Sequence, residues 1–280
     1  MSSRSDEAAR PLVSGRDLGF VAGGRHLVSR ASLDLRAGET TILIGPNGAG
    51  KSTLLRLLTG EAKPAAGVVT LEGAALASIP PWRLACQRAV MAQQARLAFP
   101  FSVLEVARLG VDGVGRALPR ARREALIGGC LLAAGVLDLA GRSYQTLSGG
   151  EQQRVQFARA LCQLEAGRSL APRQALFLDE PIANLDLSHQ LALLDMARMI
   201  AARGAAVLIV LHDINLALTY ADRLVVMDAG EIVAQGAPAA TLDDALLRRV
   251  FDVDLRLGRA PPQNLPFLLP QQHRQAAATP

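Results

Sequence analysis

Aromatic residues make up only 4% of this 280-residue chain, although half of it is hydrophobic. The apolar content therefore rests on Ala, Leu and Val, an aliphatic core of the kind that forms between helices and a parallel sheet. Lysine is almost missing: among 30 basic residues the only lysines are Lys51 and Lys63, so a lysine inside a motif stands out. The three cysteines, Cys86, Cys130 and Cys162, are far apart and show no C-x-x-C spacing. That excludes a disulfide framework or a thiolate metal site and suits a reducing compartment. No stretch of about 18 uncharged apolar residues exists, which excludes a membrane span. The opening MSSRSDEAAR has no apolar h-region, so no signal peptide is expected and the chain is expected to stay in the cytoplasm. A net charge of +5 is too modest to imply nucleic acid as a partner.

What is present is an alternation of strand-like and helix-like segments. Residues 1–11 are polar and expected to be mobile. Extended segments follow at Leu12–Val21 and His26–Leu35, the second with alternating Leu27, Ala31, Leu33 and Leu35. Thr40–Ile44, Ala175–Leu178 and Ala206–Leu211 are short apolar runs that predict buried parallel strands. A further strand is expected at 67–72, and a hairpin at Leu224–Met227 and Ile232–Ala234. Helices are expected at Lys51–Thr59, after Gly150 to about Ala166, at His189–Ala202 and at Thr241–Phe251. Residues 102–140 read as helix interrupted by Gly113, Gly115 and Pro119. Such alternation implies an α/β parallel sheet, and the block near 94–165 is a candidate inserted helical subdomain. Residues 12–257 form the main domain. The Pro-, Gln- and Ala-rich tail 258–280 is expected to be irregular, and Gln163–Gln174 reads as a polar loop.

Gly45-Pro46-Asn47-Gly48-Ala49-Gly50-Lys51-Ser52-Thr53 matches G-x-x-x-x-G-K-[ST] with a strand before it and a helix after it. Glycines let backbone N–H groups turn inward around phosphate oxygens, and the helix N-terminus adds partial positive charge. Lys51 is assigned to the β- and γ-phosphates of a nucleoside triphosphate, Ser52 to Mg²⁺ and Thr53 to the α-phosphate. The apolar run Ala175–Leu178 ends in Asp179-Glu180, which the carboxyl edge of a parallel sheet brings to the same phosphates. Asp179 fits a Mg²⁺ role. Glu180 fits the base that polarises the attacking water. His212 follows another buried run, at the same edge, and fits a γ-phosphate contact.

Leu147-Ser148-Gly149-Gly150-Glu151-Gln152, followed by a helix, resembles the signature of ABC-type ATPases. Ser148, Gly149 and Gly150 present donors at a helix N-terminus. In that family the signature closes over the nucleotide of a second copy, so the resemblance implies a homodimer with ATP at the interface. It also implies a P-loop ABC-type fold, with parallel core sheet, antiparallel β subdomain and inserted α-helical subdomain. Gln93 matches the glutamine that joins Mg²⁺ to the transporter-facing subdomain, Asp186 lies in the dimer-interface loop Asn184-Leu185-Asp186, and His212 matches the switch histidine. The likeness spans about residues 12–250 and departs at Ala22, where the family carries an adenine-stacking aromatic; Phe20 lies two residues earlier on the same strand face.

His212-Asp213-Ile214-Asn215-Leu216-Ala217 is similar to importers of iron-siderophores, haem and vitamin B12. Ala98-Phe99-Pro100-Phe101-Ser102-Val103 with Glu105-Val106 is most similar to the haem (hemin) importers. Transmembrane permease subunits, and through them a periplasmic substrate-binding protein, are the partners this implies, with the chain at the cytoplasmic face of the inner membrane. Siderophore-iron or vitamin B12 import is the alternative. A soluble ABC ATPase acting on nucleic acid lacks its long coiled coil or second ATPase domain here, and the intact Lys51, Asp179, Glu180 and His212 argue against a degenerate scaffold.

Overall fold

The computed structural model describes residues 10–93, 99–260 and 266–271. The chain opens with β1 (Val13–Ala22) and β2 (Arg25–Leu35), an antiparallel pair. It then enters β3 (Thr40–Ile44), which leads into α1 (Lys51–Thr59). Next come β4 (Ala66–Leu71), β5 (Ala74–Ala75), α2 (Pro81–Gln87) and β6 (Arg88–Met91). A helical block follows: α3 (Val103–Asp112), α4 (Arg120–Ala133) and α5 (Gly149–Gly167). The second half runs β7 (Ala175–Asp179), α6 (Leu187–Ala202), β8 (Ala206–Val210), α7 (Ile214–Tyr220), β9 (Arg223–Asp228), β10 (Glu231–Gly236), α8 (Pro238–Thr241) and α9 (Asp244–Phe251).

Two sheets result. The core sheet has the order β10-β9-β3-β8-β7-β6; its five strands from β9 to β6 are parallel and β10 is antiparallel at one edge. The second sheet, order β2-β1-β4-β5, is antiparallel throughout. This matches the α/β core sheet with an antiparallel β subdomain that the resemblance implies. Every residue of β3, β7 and β8 is buried, because both faces of the core sheet are covered. Their side chains alternate between two apolar clusters. Ile42, Ile44, Leu176 and Leu178 face the helices of the 103–167 block, α6 and α7. Leu43, Ala175 and Phe177 face α1 and the antiparallel sheet.

The sequence reading missed α2 and β6. β6 has four residues and, among the described residues, pairs only with β7, so it offers too little pattern to detect. One closing helix over Thr241–Phe251 is corrected to two. Leu242 leaves the helical conformation, and the Asp243 carboxylate accepts from the Leu246 N–H at 2.7 Å, capping a new helix. The expected loop Gln163–Gln174 is also corrected, since α5 runs on to Gly167. Gln163 donates to the carbonyls of Ala85 and Arg88, and Gln174 to those of Cys86 and Leu164. These two glutamines fasten the segment around β6 to the helical block. Ala98 and the residues before it to Gln94 lie outside the described residues, as do 1–9, 261–265 and 272–280 of the two termini.

Among the described residues, no helix is long and apolar enough to cross a membrane.

Candidate functional site

The parallel strands β3, β6, β7 and β8 all end at one edge of the core sheet. Each delivers a polar residue there, because the chain must leave the buried sheet at that edge. β3 runs into Gly45–Gly50, β6 is followed by Gln93, β7 ends on Asp179 and is followed by Glu180, and β8 is followed by His212.

The phosphate loop is built by close backbone approach. A Cβ on Gly45 would lie 2.2 Å from the Met227 carbonyl oxygen, and one on Gly50 2.3 Å from that of Leu27. Gly50 also takes a left-handed φ of 96° as α1 begins, a conformation that other residues disfavour. Asn47 and Gly48 are exposed, whereas Ala49 is buried and its carbonyl accepts from the Gly230 N–H at 3.0 Å. Lys51 is 5% exposed, and its ammonium donates to the Gly45 and Pro46 carbonyls at 2.9 Å each. An ammonium has three N–H donors, so one remains for a phosphate. Burial pushes this ammonium below its ordinary value, with the charges of Glu180 and Asp179 opposing. Ser52 and Thr53 are half-buried in the first turn of α1.

Ser52 Oγ donates to Asp179 Oδ1 at 3.1 Å. Burial raises the Asp179 carboxyl above the usual carboxylate range; the Ser52 bond lowers it, Glu180 adds repulsion and Lys51 attraction. The next residue carries the densest set of contacts. Glu180 Oε1 lies 2.5 Å from His212 Nε2, and its Oε2 accepts from Gln93 Nε2 at 2.6 Å. Its backbone carbonyl accepts from Gln153 Nε2 at 2.8 Å, and its φ is +50°. A non-glycine residue held in that left-handed region is strained, and such strain persists where neighbours over-determine the position. Three side chains from three elements fix this one glutamate. Each carboxylate oxygen still has a lone pair for water.

The signature forms the N-terminus of α5. Ser148 caps it: its hydroxyl oxygen accepts from the Glu151 N–H, and Glu151 Oε2 accepts from the Ser148 N–H at 2.8 Å. The cap uses Ser148 as an acceptor, which leaves its hydroxyl proton to donate outward. Ser148 and Gly149 are exposed. Gly150 has to be glycine for a close approach, because a Cβ there would stand 2.8 Å from the Asn184 carbonyl oxygen. Asp186 caps α6: its Oδ1 accepts from the His189 N–H at 2.9 Å and from Ser188, and lies 2.7 Å from His189 Nδ1. Those contacts, the His189 N–H first, hold its carboxyl down to about 2.

The structure thus brings together Lys51, Ser52 and Asp179 as one group, and Gln93, Glu180 and His212 as another. It leaves Ser148, Gly149 and Asp186 on the surface. Gln93 contacts Glu180, one residue along from the Ser52–Asp179 pair to which the sequence assigned it. Sequence reasoning missed Gln153, whose only signal is its place directly after the signature, and Asn184 as a contact of that signature. Phe20 pairs with Val28 and packs on the apolar cluster of the antiparallel sheet, whereas Ala22 is exposed.

The family profile described as ABC transporter matches residues 28–183, a span that holds the phosphate loop, Gln93, the signature and the acidic strand. The chain belongs to the ABC transporter family. Curated relatives agree along nearly the whole length. The hemin import ATP-binding protein HmuV of Agrobacterium fabrum is 43% identical over 266 residues, covering 94% of this chain and all of the relative. That of Rhodopseudomonas palustris is 45% identical over 261 residues, covering 92% and 95%. Among solved structures, the ATP-binding subunit of an ABC transporter superposes with a TM-score of 0.70 at 27% identity, over 86% of this chain and 93% of that one. A dimeric ATP-binding cassette in a post-hydrolysis state, bound to ADP and Pi, gives 0.69 at 25% identity, over 81% and 98%. This chain is an ABC transporter ATPase, the ATP-binding subunit of an importer, whose ATP hydrolysis is coupled to transport. Cassettes of this family dimerise and pair with permease subunits.

Proposed function

We propose that two copies of this chain hydrolyse ATP at shared sites and drive haem import through a permease at the cytoplasmic face of the inner membrane, supplied by a periplasmic binding protein. The convergence of Gln93 and His212 on the carboxylate of Glu180, beside the Ser52–Asp179 pair, supports hydrolysis most strongly. Full-length likeness to hemin import proteins supports the cargo.

Each residue has a physical part. Backbone N–H groups of Gly45–Thr53 and the third N–H of Lys51 hold the β- and γ-phosphates. Glu180 accepts from the attacking water and polarises it, while His212 holds that carboxylate in place. Ser148, Gly149 and Gly150 of one copy face the γ-phosphate held by the other, where a capped helix N-terminus stabilises negative charge. Ser52 and Asp179 offer oxygen donors only, a set that fits Mg²⁺, with Gln93 a further ligand after turning from Glu180. When bound, that ion neutralises charge on the transferred phosphate. Gln153 ties the catalytic edge to the helical block, so closure around ATP moves the surface that meets the permease.

The test is transport. The chain is to be reconstituted with its own permease in vesicles and supplied with hemin, a ferric siderophore or vitamin B12. Hemin alone should accumulate and stimulate ATP hydrolysis. Accumulation of a siderophore or vitamin B12 instead would overturn the cargo, and ATP hydrolysis without any permease association would favour a soluble ABC ATPase.

A further inference from the structure

A cleft of about 640 Å³ lies away from the phosphate loop, between the helical block and the core. Its walls are stripes of three helices at helical spacing. α4 contributes Arg122, Leu126, Gly129 and Ala133, α5 contributes Leu161, Glu165 and, just past its end, Arg168, and α6 contributes Met196, Ile200 and, just past its end, Arg203. The floor is apolar. The charged groups are three arginines against one glutamate. Glu165 lies 3.5 Å from Arg168. Arg122 and Arg203 are exposed and have no side-chain ion pair or hydrogen bond among the described residues. The cleft therefore carries an excess of two positive charges around an apolar floor.

Gly129 makes this more than a gap between helices. It lies inside α4 beside Gly128, where glycine lowers helix stability relative to alanine. A Cβ at Gly129 would meet nothing within 4 Å, so no neighbour in the chain demands its absence. What the missing side chain does is leave room in the cleft.

We propose that this cleft binds a planar apolar dicarboxylate, the class of the tetrapyrrole cargo, and that the bound molecule bridges the helical block to the core and alters ATP turnover. Two carboxylates match the two excess charges, and a flat apolar body matches the floor. The identity of the ligand rests on the haem reading above; the site itself rests on the cleft.

The experiment titrates the purified full-length chain, without permease, with protoporphyrin IX followed by its fluorescence, and with oleate in a parallel arm. Protoporphyrin should bind saturably at one site per chain. Gly129→Leu, which fills the cleft, and the double variant Arg122→Glu/Arg203→Glu should each weaken binding at least tenfold. Arg122→Lys/Arg203→Lys should retain it. Gly129→Leu should melt no lower than the parent chain and keep its basal ATP hydrolysis, so that lost binding is not lost folding. Saturating protoporphyrin should change the hydrolysis rate at least twofold in the parent chain and not in Gly129→Leu. Absence of saturable binding, binding that all variants retain, an unchanged hydrolysis rate, or a preference for oleate would each overturn the proposal. Because no permease is present, failure here leaves the vesicle test of cargo intact, and failure of that test with intact porphyrin binding would overturn the cargo alone.

Discussion

The phosphate loop and the signature are both helix N-termini that offer amide N–H groups to an anion, yet the chain treats them oppositely. It encloses the first. Lys51 and Asp179 are each 5% exposed, and backbone oxygens of Met227 and Leu27 press on the loop glycines. It displays the second. Ser148 and Gly149 face outward, no lysine accompanies them, and the cap of Ser148 and Glu151 settles the helix end without a ligand. On the function proposed above, the enclosed terminus binds phosphate on its own. The displayed one has donors but no cradle, and on the same proposal acquires its anion only when another copy presents one. Under that proposal the difference separates binding, a property of one chain, from turnover, a property of two.

Variants at the two termini should therefore fail in different ways. The largest effect belongs to neither: Glu180→Gln should leave ATP binding intact and lower phosphate release by about 1000-fold, within the range for losing a positioned general base. Near-normal release would remove Glu180 from that role. Gly149→Asp should reduce hydrolysis about 100-fold, the scale of one lost anion-stabilising donor, while equilibrium ATP binding to the single chain stays within twofold. A Cβ at Gly149 meets only ordinary contacts with Asn184, so the fold tolerates the change. If binding fell as far as turnover, the signature would serve its own chain's nucleotide and the comparison would break. Lys51→Ala should weaken ATP binding roughly 30- to 150-fold, the equivalent of about 2–3 kcal/mol for a charged hydrogen-bond donor, as read by fluorescent-nucleotide titration. Gln153→Ala should lower kcat about tenfold with KM unchanged, since it frees the strained backbone of Glu180 without touching nucleotide. A change in KM alone would place Gln153 elsewhere.

The smallest effect is a pH dependence at the displayed face. The Asp186 carboxyl sits at about 2 instead of its ordinary 3.8, a depressed folded value. Its contribution is present above the unfolded value and is lost as pH falls from about 4 to 2. Asp186→Asn keeps a cap and removes the titration, so its melting temperature should fall less steeply over that interval. Equal slopes would show that the α6 cap carries no such linkage.

Much of this was legible in the residues. The strands β3, β7 and β8 end within a residue of their expected limits because burial on both faces makes them continuous apolar runs. The phosphate loop and signature were legible because their chemistry is local. β6 was not, because four residues carry no period and its place is set by pairing with β7 across the whole helical block. The site residues were named one by one, but their grouping was not. Gln93 and His212 stand 87 and 32 positions from Glu180 and meet on it only because β6, β7 and β8 end at one edge. Gln153 looks like any polar residue on a helix until the fold places it under Glu180. The closing helix was over-extended because Asp243, an N-cap, reads like any surface aspartate until its carboxylate is seen on Leu246.

The central claim is that one chain carries two half-sites, and the most direct test is the mass of the Glu180→Gln protein with and without ATP, measured by sedimentation. The expected result is a single chain without nucleotide and a dimer with two bound ATP, returning to a single chain when Gly149→Asp is added. A single chain at every ATP concentration, or a dimer that Gly149→Asp leaves intact, would contradict it.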